Sequence, residues 1–283
     1  MKQLKNGQFY GRTNETFLLD GITLTDTEYT LKKVDWHYHE NAYFTFILYG
    51  NITEVSKTET YNCKAGSLLF HNCGQMHYNL KSDGFTRGFH IEIKNGWKAL
   101  HEISSCKIKD CFEINSPSVK LLVYDIFREV KINDDQILLS VESLLLKIFS
   151  EMIYESGKIS CSAGWVNTVY ELLQDRCTEN VSLNELAQAA GIHPVHLSRD
   201  FPKYFKYYAG QYIRLLRLEK ALSMFHDKNK SITEISHECG FSDQSHFIRC
   251  FREKTGLTPL KYRKLLFQQK SLKILMLISF DFF

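Results

Sequence analysis

Two sets of side chains in this 283-residue sequence could do chemistry. The first is His37, His39 and His77 with Tyr43, set among Phe44, Phe46 and Tyr78. Flat apolar walls with a few hydrogen-bonding groups suit a small polar ligand such as a sugar or sugar derivative. The second set is Val195, Ser198 and Arg199, followed about fifty residues later by Gln244, Ser245 and Arg249. Guanidinium, amide and hydroxyl groups presented along a helix can pair with base edges in a major groove.

The elements that must position the second set are spelt out twice in residues 181–264. Leu183, Leu186, Ala187, Ala190 and Gly191 are echoed by Ile232, Ile235, Ser236, Cys239 and Gly240. An apolar pair three apart, followed by a small residue, makes the buried stripe of a short helix, and the glycine ends that helix where a positive φ is needed. Each copy runs on into a second amphipathic helix, with Leu197 and Phe201 or Phe247 and Phe251 on its buried face. The opposite face then carries the base-reading candidates, as a helix in a major groove requires. Two helix-turn-helix units are therefore predicted. The same residues hold 14 Lys and Arg against 8 Asp and Glu, a net +6 in a chain of net +3. Lys203, Arg214, Lys254, Lys261 and Arg263 are the expected phosphate contacts, with Lys206, Arg217 and Lys264 as further cations. Such contacts supply affinity and position without sequence information.

This region resembles the AraC family of bacterial transcription regulators. The match is densest from Gly240-Phe241-Ser242-Asp243-Gln244-Ser245-His246-Phe247 to Lys254-Thr255-Gly256-Leu257-Thr258-Pro259. Gly210-Gln211-Tyr212-Ile213-Arg214-Leu215-Leu216-Arg217-Leu218-Glu219-Lys220-Ala221 is similar to the family's linker helix, which braces both units. The first copy departs at two places. Pro202 falls inside the expected recognition helix, where it removes a donor and bends the last turn, and Lys206 stands where the family has the helix-ending glycine. The resemblance implies a sequence-specific regulator that binds double-stranded DNA, an activator with RNA polymerase as a further partner, and not an enzyme.

The N-terminal half reads differently. Segments rich in Tyr, Phe, Val, Ile and Thr at residues 43–48, 52–55 and 67–70 are broken by Gly50-Asn51, Lys64-Ala65-Gly66 and Asn72-Cys73-Gly74. Short strands with turn signals predict a small antiparallel β-barrel. His37-Tyr38-His39 followed by Gly50, and then Gly66, Gly74 and His77, resemble the two motifs of cupin barrels, the effector domains of many AraC-type regulators. Asn72 stands where the second motif has proline, and Tyr43 where the first has glutamate, with Glu40 nearby. Metal-binding cupins hold iron, manganese or zinc with two or three histidines and that glutamate. The preferred reading is a metal-free effector pocket of His37, His39, Tyr43 and His77, without a cofactor. The alternative is a metal-dependent cupin enzyme with a helical accessory domain. His90 is expected on another strand of the same barrel, and Phe44 and Phe46 either line the pocket or fill the core.

Residues 117–177 predict helices. Val119, Leu122, Val123, Ile126 and Phe127 form one stripe, and Ile137, Leu138, Val141, Leu144, Leu145, Ile148, Phe149 and Met152 a wider one. The family resemblance implies dimerisation here, with Val141, Leu145 and Ile148 as the homodimer contact. Glu155-Ser156-Gly157-Lys158-Ile159-Ser160 breaks the pattern and is the expected linker. The fold class is thus α+β. A cupin-like barrel is expected over residues 1–115, a helical dimerisation segment over 116–158, an all-α double helix-turn-helix domain over 159–267, and an apolar tail over 268–283 that is too short to span a bilayer. At 44% hydrophobic and 13% aromatic, the chain can bury the cores of two ordinary domains. The first seven residues hold no apolar run of signal-peptide length, and the eight cysteines form no C-x-x-C pair. A reducing cytoplasm and no membrane partner are expected.

Overall fold

The computed structural model describes residues 2–103, 111–159 and 164–267. They form two compact units, the first taking the chain up to Leu146 and the second covering Lys147–Leu266. Residues 268–283, Cys106 and Cys161 lie outside the described residues. Among those described, no helix is long and apolar enough to cross a membrane.

The first unit is built on strands β1 (Lys2–Leu4), β2 (Arg12–Leu19), β3 (Ile22–Glu28), β4 (Lys33–His39), β5 (Ala42–Tyr49), β6 (Asn51–Ser56), β7 (Thr60–Lys64), β8 (Leu68–His71), β9 (His77–Lys81), β10 (Arg87–Ile93) and β11 (Cys111–Glu113). Hydrogen bonding orders them as β1-β4-β9-β6-β7 and β11-β8-β5-β10-β3-β2. The expected closed antiparallel barrel is not what forms. Among the described residues no ladder joins the two sheets into a ring, and β1 runs parallel to β4, with Lys2 opposite His37 and Leu4 opposite His39. Strands β2 and β3 precede the first expected strand. In β3, Thr23, Thr25 and Thr27 are buried on one face as Ile22 and Leu24 are on the other, and the apolar alternation ends after Leu24, too short to mark the strand. The β5–β6 turn requires glycine: Gly50 has φ +76°, and a Cβ there would meet the Phe85 carbonyl oxygen at 2.2 Å.

Strand alternation decides which side chains see the histidines. Phe44 and Phe46 share one face of β5, and the Phe46 ring lies 4.6 Å from Tyr124 on α2 (Pro117–Ile132). On the neighbouring β10, Phe89 packs 5.1 Å from Phe127 of the same helix. Phe44 and Phe46 are fully buried core residues, each burial stabilising by about 1.5–3 kcal/mol, and not pocket walls. Tyr43 and Thr45 face the other way, where their hydroxyls meet His77 and His90 at 3.2 Å each.

Helix α1 (Asn95–Leu100) follows β10, and α3 (Ile137–Ile159) follows α2. Val141, Leu145 and Ile148 are each 0% exposed, so the expected homodimer contact is already consumed by the chain's own core. An apolar stripe demands burial but does not say by whom. Among the described residues, the large apolar side chains of α3 left exposed are Leu139, Leu146, Ile153 and Tyr154, with Leu139 the most open at 69%. Among the described residues the expected break does not begin at Glu155, because α3 continues to Ile159; Ser160 lies outside them.

The second unit is helical: α4 (Gly164–Arg176), α5 (Leu183–Ala189), α6 (Pro194–Phe205), α7 (Ala209–Met224), α8 (Ile232–Glu238), α9 (Gln244–Thr255) and α10 (Pro259–Phe267). Val169 and Leu173 of α4 pack with Leu186, Leu197 and Phe201, and with Tyr212 and Leu216 of α7. A second core forms around Phe251, whose ring lies 5.3 Å from Phe225 and 5.5 Å from Tyr262. Helix α7 therefore enters one core through Tyr212 and runs out into the other at Phe225, the bracing expected of a linker helix.

Candidate nucleic-acid interface and histidine pocket

The short helices α5 and α8 begin in the same way. The Ser182 hydroxyl accepts from the Glu185 backbone N–H at 3.2 Å, and the Glu185 carboxylate accepts from the Ser182 N–H at 2.7 Å. Ser231 and Glu234 repeat this reciprocal cap at 3.1 and 2.6 Å. The S-x-x-E spelling is visible in both copies but has no apolar period, so a search for buried stripes passes over it. The turns follow at Gly191 and Gly240, with φ of +64° and +80°. Helix α9 is capped by Asp243, whose carboxylate accepts from the His246 N–H at 2.7 Å, whereas α6 opens with His193 and Pro194. Both end in a left-handed residue, Gly256 at φ +74° and Lys206 at φ +68°. Pro202 lies inside α6, which nonetheless runs on to Phe205.

Leu197, Phe201, Phe247 and Phe251 are fully buried, as the pattern requires. On the outer faces Val195, Ser198, Arg199, Ser245 and Arg249 are exposed, and Gln244 is half-buried with its amide oxygen accepting from the Thr233 hydroxyl at 3.0 Å. The two arginines differ. Arg199 donates to the Asp200 carboxylate at 3.0 and 2.9 Å, and Lys203 stands 2.8 Å from the same group. The bond from Arg199, then that from Lys203, hold the Asp200 carboxyl well below its usual range. Arg249 makes no side-chain hydrogen bond or ion pair among the described residues.

Of the expected phosphate contacts, Lys203, Arg214 and Lys261 are exposed and Lys254 is half-buried. Arg263 does not fit that role. It donates to the Lys230 carbonyl at 2.6 Å, lies 5.3 Å from the Phe225 ring centre, and burial lowers its pKa. Arg217 is likewise committed, to the carbonyls of Cys177 at 2.7 Å and Glu179 at 2.9 Å. Charge alone does not distinguish a guanidinium that ties the fold from one that waits for phosphate.

In the first unit, His37, His39, Tyr43 and His77 do come together, all buried. Ring centres of His37 and His77 are 4.2 Å apart and those of His39 and Tyr43 4.4 Å. His90 joins them, stacked at 3.7 Å on Phe9. Phe9, Tyr10 and Glu54 also line the cavity, and sequence reasoning missed all three. Glu54 shares the buried face of β6 with Ile52 and Ser56, but Val55 lies on the other face, so the residues carry no clear signal for it. Phe9 and Tyr10 had none, because long-range contacts bring their segment here: the parallel β1–β4 pairing and the bonds of Asn6 and Gly7 to Glu40, Thr23 and Glu92. The cavity measures about 20 Å³, room for a water molecule and not for a sugar.

Burial keeps these imidazoles neutral. Desolvation, then repulsion from His77, His37 and His90, holds His39 well below its usual pKa, and desolvation with the His37 charge takes His77 to about 3. Glu54 and His71 stand 3.2 Å apart, yet desolvation pushes Glu54 up to about 8 and His71 far down, so near neutral pH this is a contact between uncharged groups and not an ion pair. One ring nitrogen from each of His37, His39 and His77 lies within 4.8 Å of the other two, and neutral imidazole is the metal-binding form. These three therefore fit a transition-metal ion, which would act as a Lewis acid with open positions. The carboxylate of metal cupins is not among them: Tyr43 occupies its place, and the Glu40 carboxylate accepts from the Asn6 N–H at 2.7 Å.

Residues 186–265 match the family model described as a helix-turn-helix domain. "Probable transcription factor PqrA" of Proteus vulgaris is 31% identical over 101 residues, covering 35% of this chain and 83% of that protein. The chain belongs to the AraC family. Two further relatives are similar over shorter shares of their length. The HTH-type transcriptional regulator YpdC of Escherichia coli (strain K12) is 32% identical over 96 residues, 34% of each chain. The bifunctional transcriptional activator/DNA repair enzyme AdaA of Bacillus subtilis (strain 168) is 31% identical over 101 residues, 36% of this AraC-family chain and 48% of its own. The chain thus spans a third to about half of these two proteins, and the family model leaves its histidine-bearing unit uncovered.

Proposed function

We propose that this AraC-family chain is a sequence-specific DNA-binding transcription regulator in which α6 and α9 are the recognition helices of two helix-turn-helix units, braced by α7 to enter successive major grooves. The observation that carries the reading is the repeated helix pair, whose second member buries its apolar face and exposes Ser198 and Arg199, or Ser245 and Arg249. Val195 and Gln244 stand beside them as base contacts, and Lys203, Arg214, Lys254 and Lys261 supply phosphate contacts. The full-length protein should bind duplex DNA with an affinity that falls steeply as salt rises. Absence of salt-dependent binding to any duplex sinks the reading.

The first unit is the sensor in this reading, taking a small polar effector at His37, His39, Tyr43 and His77. A cavity of about 20 Å³ means that a sugar-sized effector has to displace lining side chains, and it can shift the protein only by binding the two states unequally. Changes at His39 should therefore alter the effector response and leave effector-free DNA binding intact. Activation through RNA polymerase, a cytoplasmic location and homodimerisation complete the reading, with Leu139 and Leu146, two of the exposed apolar residues of α3, as its dimer contact. Leu146→Glu should then sediment as a monomer. The three convergent imidazoles favour one alternative, a metal-dependent enzyme. Near-stoichiometric iron or manganese that disappears in His39→Ala would support it.

A further inference from the structure

A second cluster of ligating side chains borders the histidine pocket and shares one lining residue, Glu54, with it. Strand β6 contributes Glu54, β8 contributes His71, and β11 begins at Cys111, which the ladder pairs directly with His71. His71 and Glu54 have side chains only 1% and 5% exposed. The Nε2 of His71 and the Oε1 of Glu54 are 3.2 Å apart, yet each lacks a hydrogen-bond partner. The other Glu54 oxygen accepts from the Asn79 amide at 3.1 Å, and the other His71 nitrogen, Nδ1, lies 3.6 Å from the Cys111 sulfur. Two buried polar atoms with no hydrogen bond, set this close, are placed as two ligands of one ion seated to the side of both would be.

We propose that Glu54, His71 and Cys111 form a binding site for a zinc ion, distinct from the three histidines of the pocket. Two ligands of a tetrahedral zinc ion, with bonds of about 2.0–2.2 Å, stand about 3.3 Å apart, which is the separation of His71 Nε2 from Glu54 Oε1. One ligand atom from each of the three residues lies within 4.8 Å of the others. A single imidazole offers one nitrogen to one ion, and the unpartnered Nε2 is that nitrogen. The Cys111 sulfur now lies by Nδ1, so ligation requires this half-buried side chain to turn toward the Nε2 side, with water in the fourth position. A donor set of nitrogen, oxygen and thiolate selects zinc over magnesium or calcium, which prefer oxygen alone.

The test is to strip the full-length protein of metal and titrate it with cobalt(II), the visible stand-in for zinc. One equivalent should produce tetrahedral d–d absorption and a thiolate-to-cobalt charge-transfer band, both bleached by added zinc. Cys111→Ser should abolish the charge-transfer band, and Glu54→Gln should weaken cobalt binding by about tenfold or more. His39→Ala, Cys63→Ser and Cys73→Ser should keep the band. Failure of the parent protein to bind cobalt, a band that survives Cys111→Ser, or a band lost in His39→Ala each overturns the assignment. Cobalt d–d absorption without a charge-transfer band, lost in His39→Ala, would place the ion among the pocket histidines instead.

Discussion

The α5–α6 and α8–α9 pairs share a buried stripe and a seryl cap, and they differ wherever the copy meets something outside itself. Gly240 is pressed against the Thr178 backbone, where a Cβ would stand 2.2 Å from the carbonyl oxygen, while a Cβ on Gly191 would meet nothing within 4 Å. Arg249 makes no side-chain hydrogen bond or ion pair among the described residues, whereas Arg199 is held by Asp200. Helix α9 ends on Gly256, and α6 ends on Lys206 in a left-handed conformation that costs a residue with a Cβ about 1–2 kcal/mol. A repeated pattern builds the same element twice, and the neighbours then decide how tolerant and how available each copy is.

Glycine substitutions should separate the copies most. Gly240→Ala combines the left-handed penalty with a steric clash and should lower stability by more than about 3 kcal/mol, against about 1–2 kcal/mol for Gly191→Ala. Thermal or urea unfolding of the full chain measures both, and equal losses would break the contrast. Base reading comes next. Arg249→Ala should cost about 1–3 kcal/mol of DNA affinity and relax specificity at one base pair, with Arg199→Ala losing less because Asp200 already engages that guanidinium. Binding titrations across operator variants decide this, and a larger loss at Arg199 would reverse the order of the two units.

Where the copies agree, the effects should agree. Ser182→Ala and Ser231→Ala each remove one reciprocal cap and should each cost about 1 kcal/mol in unfolding experiments. A difference of more than about 1 kcal/mol between them would mean that the caps are not equivalent. The smallest effect is expected at the end of α6. Lys206→Gly relieves the left-handed strain but adds backbone freedom to the unfolded chain and removes an exposed ion pair with Glu151, for a net gain of about 0.5 kcal/mol. A fall in melting temperature would show that the ion pair outweighs the strain.

Helices α5, α6, α8 and α9 could be read from residue order because a buried stripe and, in all but α6, a terminating glycine lie within a dozen or so residues of one another. Strands β5, β6 and β8 were legible for the same local reason, in runs of aromatic and β-branched residues between turn signals. Threonine-rich β3 was not, since a hydroxyl buried by its neighbours looks like a solvent-facing one until those neighbours are known. Helix α3 was readable as amphipathic, but whether Val141, Leu145 and Ile148 served this chain or a second copy depended on what packed against them. Arg217 and Arg263 counted as free cations until tertiary contacts supplied the carbonyls and the ring that hold them. The histidines were found by type and spacing, whereas Phe9, Tyr10, Glu54 and a cavity fit only for water came from strand pairing and other long-range contacts. Periodicity and local chemistry belong to a segment and are written in its residues; partners, free volume and burial of one segment by another arise only when distant segments meet.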